Sequence, residues 1–205
     1  MKILMINGSP RPDGNTALAL KEMERVFQSH GLDCQTVHVG ARDIRGCIAC
    51  KSCRKTGKCV FDDTVNEIAP LFEACDALII GSPVYYAGAN GTLISFLNRL
   101  FYSTSFDKTM KVGAAVSVAR RMGQTPTLDA LYKYFTISGM PVASSHYWNG
   151  LYGSEKGEAL EDSEGLQTVR ELAENTAFLV KSIALGKEAY GTPVKEPKVR
   201  TNFVR

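Results

Sequence analysis

The sequence predicts an open α/β fold, a parallel sheet covered on both faces by helices. Three observations carry this. Residues 3–6 and 77–80 are short, continuous apolar runs, each followed by a Gly-Ser-Pro turn, the pattern of strands buried on both faces. Between and after these runs the pattern switches to a helical period. The 205 residues contain no internal repeat and no linker that would split them, so they read as one domain with embellishments. Strands alternating with helices imply right-handed crossovers and a sheet with helices on both sides.

The elements follow in order. After the first strand, residues 14–29 place Ala19, Leu20, Met23, Val26 and Phe27 on one side of a helix that stops at Gly31. Residues 34–39 form a second strand and 41–62 a cysteine-bearing loop. Asp63 or Thr64 caps a helix running to residue 74. The third strand, 77–80, leads to a helix over 90–102 with Leu93, Phe96, Leu97 and Leu100 inward. Residues 111–119 are a fourth strand, 125–138 a helix and 140–144 a fifth strand. A long helix over 162–186, with Leu166, Val169, Leu172, Ala173, Val180 and Ile183 at helical spacing, closes at Gly186. The expected domain is therefore 1–188, with 189–205 as a basic C-terminal tail or arm.

Composition narrows the class. With 44% hydrophobic and 22% charged residues the chain is neither disordered nor collagen-like. No apolar run approaches the roughly 18 residues of a membrane span, and the four apolar residues after Lys2 are too few for a signal-peptide core, so a cytoplasmic protein is expected. The net charge of +3 matches the excess in residues 190–205, where Lys195, Lys198, Arg200 and Arg205 outnumber Glu196. A charge confined to a tail is not the basic stripe of a nucleic-acid binder, so none is expected as a partner.

Ligands of such sheets sit beyond the strand C-termini where strand order reverses, which points to three loops. The first, residues 8–16, joins a strand to a helix N-terminus, where N–H groups and the helix dipole favour an anion. Ser9, Asn15 and Thr16 add short neutral donors, Arg11 a charged fork, and Gly14 room for close approach. Neither GxxxxGK[ST] nor GxGxxG is present, so the loop suits a single phosphate; a plain turn with Asn15 or Thr16 as helix cap is the alternative. The second loop, 81–91, carries Pro83, Val84, Tyr85 and Tyr86, able to offer apolar walls and backbone donors to a planar heteroaromatic ring. The third, 117–124, carries Ser117, Ala119, Arg120 and Arg121; an arginine there binds a phosphate or an anionic ring, or belongs to a solvated turn.

Four of the six cysteines, Cys47, Cys50, Cys53 and Cys59, fall within thirteen residues as C-x2-C-x2-C-x5-C. Four thiolates at such spacing suit a [4Fe–4S] cluster, and the first three spacings equal those of the bacterial ferredoxin run. The x5 return, with Gly57 as a turn, allows all four sulfurs to meet at one centre. A structural zinc site, a redox dithiol and an unfilled loop remain alternatives. Cys34 and Cys75 read as buried and inert. His30, His38 and His146 have no metal-spacing partner and read as structural. Trp148, beside Tyr147, covers the edge of a bound ring or lies in the core or a subunit contact.

Taken together, GSPRPDGNT, GSPVYYAGANGTLISFLNR and VARRMGQ resemble the flavodoxin-like NADPH-dependent FMN reductases over about residues 1–150, and the cysteine segment resembles their iron–sulfur flavoprotein branch. The resemblance implies a flavodoxin-like three-layer sandwich with a five-stranded parallel sheet in order 2-1-3-4-5 and FMN at the switch point. By position, Ser9, Arg11, Asn15 and Thr16 would hold the FMN phosphate. Pro83, Val84, Tyr85 and Tyr86 would line the isoalloxazine, and Ser117, Ala119, Arg120 and Arg121 would approach from the third loop. Met122 before the single Gly123 departs from the Gly-rich third loops of the family. The expected function is an FMN-dependent oxidoreductase. It passes electrons from NAD(P)H to a [4Fe–4S] cluster or to a small acceptor such as a quinone or flavin, as a homodimer or homotetramer. The alternative is a non-enzymatic flavodoxin-like electron carrier. No side-chain acid, base or nucleophile is required, so no catalytic residue is named.

Overall fold

The computed structural model describes residues 1–199, Thr201 and Phe203. Its central sheet runs in the order β2-β1-β3-β5-β6. The strands are β1 (Lys2–Asn7), β2 (Asp33–His38), β3 (Ala77–Tyr85), β5 (Val112–Ala119) and β6 (Gly150–Tyr152), paired in parallel throughout. A two-residue strand β4 (Gly88–Ala89) turns back antiparallel on the end of β3. Leaving that hairpin aside, the five parallel strands stand in the expected 2-1-3-4-5 order.

Alternation along the central strands builds the two cores. Ile3, Met5, Ala77, Ile79, Ala114 and Val116 face α1 (Asn15–Ser29) and α6 (Ser163–Tyr190). Leu4, Ile6, Leu78, Ile80 and Ala115 face α3 (Thr64–Ala74), α4 (Gly91–Ser103) and α5 (Gln124–Thr136). Asp63 caps α3 and Asn90 caps α4 through side-chain oxygens that accept from Val65 N and Thr92 N. Asp162 caps α6 in the same way, and His30 is the C-cap of α1, one residue before Gly31.

Three expectations are corrected. Residues 140–144 are not the fifth strand. Gly113 and Val142 make a single bridge, after which the chain leaves the sheet and returns as β6. Pro141 supplies a carbonyl to Gly113 N but has no N–H to extend the ladder. The long helix passes through Gly186 and ends at Tyr190, capped by Gly191 with φ 76°. The cysteine loop is not all irregular, since Cys53–Thr56 form the short helix α2. Of the tail, Lys195 pairs with Asp107, while Arg200 and Arg205, half of its expected positive charges, lie outside the described residues. Among the described residues no helix is long and apolar enough to cross a membrane.

Candidate functional site

At the C-terminal edge of β1, β3 and β5 lies an open cleft of about 190 Å3. It brings together Ser9, Arg11, Asn15, Thr16, Pro83, Val84, Tyr85, Ala119 and Arg120, nine of the twelve positions expected from the three loops. Gly153 and Ser154, which follow β6, complete the wall and were not anticipated.

The first loop is shaped by its own polar groups. Asn7 Oδ1 accepts from Ser9 N at 3.0 Å, and Ser9 Oγ accepts from Arg11 N at 3.1 Å. These two local turns fold the loop before any ligand is present. From behind, His38 Nε2 meets the Ser9 carbonyl at 2.6 Å, and Asn90 Nδ2 donates to the carbonyls of Gly8 (2.7 Å) and Gly40 (3.2 Å). Gly40 packs directly on the Ser9 backbone, where a Cβ has no room. The α1 N-terminus is capped by Gly14 with no side-chain bond, so neither Asn15 nor Thr16 acts as the cap. The first-turn N–H groups are left to point outward, an anion site without a competing carboxylate. Arg11 spans the mouth, 3.5 Å from the Ser154 carbonyl. Asp13 lies outside the cleft and pairs with Lys156, a bond that holds its carboxyl below the ordinary carboxylate value.

Asn15 is engaged elsewhere. Its Nδ2 donates to Glu155 O at 2.8 Å and its Oδ1 accepts from Gly157 N at 2.9 Å, so its amide pins the 153–159 segment against α1. What it still offers an anion is its main-chain N–H.

Three expected residues stand outside the cleft. Tyr86 is fully exposed, because it and Ala87 form a two-residue hairpin turn with φ of 50° and 57°, conformations non-glycine residues rarely adopt. Ser117 is completely buried below the edge, and its hydroxyl has no partner among the described residues. Arg121 lines a neighbouring cleft of about 560 Å3 shared with Met122, Gln124, Trp148 and Tyr152.

The second feature is the cysteine segment. Cys47, Cys50, Cys53 and Cys59 all line one cavity, with Phe61, Arg99 and Tyr102. Ala49 and Lys51 take positive φ (54° and 60°) on either side of Cys50, which turns the short loop back on itself. Ala49 N donates to Cys47 Sγ at 3.4 Å. Among the described residues no three His, Cys, Asp or Glu side chains close on a point as they would around one bare ion. A tetrahedral zinc needs its sulfurs about 2.3 Å from a single centre. The four thiols line one shared space. Cys75 is buried as expected, and burial pushes its thiol up to about 12; Cys34, expected to be buried, is only half-buried, and that partial burial pushes its thiol up to about 11.

Arg99, missed by the sequence reading, holds this segment to the body. It is 1% exposed, the largest fully buried side chain among the described residues. Its guanidinium forks onto Asp63 at 2.7 and 2.9 Å and donates to Cys59 Sγ from Nε (3.3 Å) and from an Nη (3.2 Å). Burial works against its charge, but the Asp63 and Cys59 bonds hold its pKa above the ordinary value. Phe61 lies between two cations, its ring 4.9 Å from Arg99 and 4.7 Å from Arg45. Asn66 completes the clamp, accepting from Cys59 N and donating to the carbonyls of Cys59 and Phe61. The sequence signal was a charged residue three positions after inward-facing Phe96.

Fold and cleft together define a flavodoxin-like protein with an open cleft at the sheet's switch point. The pattern of the NADPH-dependent FMN reductases matches residues 1–153, and the chain belongs to that family. It is an FMN-dependent oxidoreductase, and the curated relatives it matches are named iron–sulfur flavoproteins. An iron–sulfur flavoprotein of Methanocaldococcus jannaschii is 34% identical over 191 residues, covering 89% of this chain and 99% of the relative. One from Methanosarcina thermophila is 32% identical over 198 residues, covering 92% and 100%. Among solved structures, RosB with a bound flavin-phosphate intermediate superposes with TM-score 0.73 at 15% identity, covering 100% of this chain and 92% of that one. An archaeal flavodoxin gives 0.58 at 16%, covering 88% and 99%. At such identities these structures speak to the fold alone.

Proposed function

We propose that the protein takes electrons from NAD(P)H and delivers them to a [4Fe–4S] cluster in its own cysteine cavity, or to a small acceptor such as a quinone or free flavin. The observation that carries this reading is that one chain builds two separate donor sets. One is a helix N-terminus without a side-chain cap, framed by neutral donors and arginines. The other is a cavity lined by four thiols. The relatives named iron–sulfur flavoproteins, matched over almost their whole length, support it.

In this reading Ser9, Thr16 and the N–H groups of residues 15–17 bind the FMN phosphate, and Arg11 closes over it. Pro83, Val84 and Tyr85 form the wall for the ring, with Ala119 and Arg120 opposite. Cys47, Cys50, Cys53 and Cys59 are the cluster ligands. When bound, FMN accepts electrons in pairs or singly and the cluster passes them singly, so the pair joins a two-electron donor to one-electron acceptors. The polypeptide's part is to bind, orient and shield both groups; no side chain needs to move a proton. Residues 1–188 act as the flavin-binding unit, residues 189–205 as an arm, and the assembly is a homodimer or homotetramer.

Cys53→Ala tests the assignment. Protein purified without oxygen should lose its iron while keeping FMN, and wild-type iron content in the variant would defeat the ligand set. Anaerobic NADPH should bleach the bound flavin. Bleaching by dithionite but not by NADPH or NADH would favour the electron-carrier alternative.

A further inference from the structure

We infer that Arg99 is a positioning residue for the cluster. Through two N–H···S bonds to Cys59 it fixes that corner and raises the cluster's reduction potential. The inference rests on the [4Fe–4S] reading above.

A guanidinium on the surface would bond water and contribute little. This one is 1% exposed on α4, an element outside the cysteine loop, and it carries a fixed positive charge to the cavity wall. Its contacts fix its direction. Asp63 takes two of its donors, the carbonyls of Arg45 and Phe61 accept at 3.3 and 3.4 Å, and Phe61 covers its face. Nε gives its single N–H to the Cys59 sulfur alone, while one Nη divides its two N–H groups among Asp63, the Phe61 carbonyl and the same sulfur, so that one of them is shared.

The four sulfurs are not treated alike. Cys59 is half-buried, sits between Asn66 and Arg99, and receives two charge-assisted donors. Cys47 and Cys50 are exposed, and Cys47 receives one main-chain N–H. Hydrogen bonds to ligand sulfurs and nearby positive charge withdraw electron density and favour the reduced cluster. Arg99 therefore acts at one corner of the centre, from the rigid body of the fold.

Wild-type protein, expressed with 15N-guanidinium arginine and purified anaerobically, provides a test that needs no variant. After reduction, pulsed electron paramagnetic resonance should detect a 15N hyperfine coupling to the cluster. In Arg99→Lys, labelled in the same way, that coupling should vanish and the midpoint potential should fall, with FMN content unchanged. Loss of a charge-assisted bond of about 1.5 kcal/mol would release iron to a chelator about tenfold faster in Arg99→Lys. A wild-type cluster without 15N coupling, or an Arg99→Lys cluster at the wild-type potential, would overturn the role of Arg99 and leave the cluster standing. Wild-type protein that takes up no iron would overturn the cluster reading itself.

Discussion

Asn15→Ala separates anchoring from phosphate binding. The Asn15 amide makes two good bonds to the 153–159 segment, at 2.8 Å to Glu155 O and 2.9 Å to Gly157 N, and a third contact at 3.4 Å to Ala159 N. Two neutral, part-buried bonds at about 1 kcal/mol each sum to about 2 kcal/mol. That segment begins with Gly153 and Ser154, one wall of the cleft proposed for FMN. If the whole loss appears in binding, affinity falls about 30-fold; any part absorbed by global stability lowers that factor. The assay is fluorescence titration of flavin-free protein with FMN and, in parallel, with riboflavin, which lacks the phosphate. An anchor should cost both ligands the same factor. A loss confined to FMN would show that the Asn15 side chain reaches the phosphate, and no loss for either would show that the 153–159 wall does not contribute to binding.

The remaining predictions bear on other parts of the molecule. Thr16→Val should weaken FMN by about tenfold through the loss of one donor to a charged phosphate, leaving riboflavin unaffected in the same titration. Gly40→Ala should push the Ser9 backbone out of place at a cost of about 1–3 kcal/mol, lowering both the melting temperature and FMN affinity. Gly46→Ala, whose Cβ meets nothing, should change neither. The raised thiol values of Cys75 and Cys34, about 12 and 11 against an ordinary 9.0, mean the folded protein favours the protonated thiols. Their contribution is complete below pH 9 and is lost as pH rises toward 11–12, so denaturant unfolding at stepped pH should show an alkaline decline that is shallower in Cys75→Ala.

Much of the fold was legible because its physics is local. Residues 3–6 and 77–80 had to be buried strands, since so apolar a run with no polar alternation leaves neither face for water. The fifth strand was not legible. Met140 to Ser144 looks more strand-like than Gly150-Leu151-Tyr152, yet Pro141 stops the ladder, and the real strand buries only Leu151. The cleft was legible at nine positions because loops at strand C-termini converge by topology. The misplaced residues depended on backbone angles or on distant partners. Two adjacent tyrosines do not reveal that Tyr86 sits at φ 50° in a turn whose two central residues are not glycine. Nor does Asn15 reveal that its amide answers to residues about 140 positions away. Arg99 was hidden for the same reason, its partners lying 36 and 40 positions upstream.

The central claim is that one chain holds a flavin and an iron–sulfur centre in two separately built sites. The most direct measurement is flavin, iron, acid-labile sulfide and zinc content on a single anaerobically purified sample. The account predicts about one FMN with about four iron and four sulfide per chain. FMN without iron after anaerobic reconstitution, or one zinc in place of the iron, would contradict it.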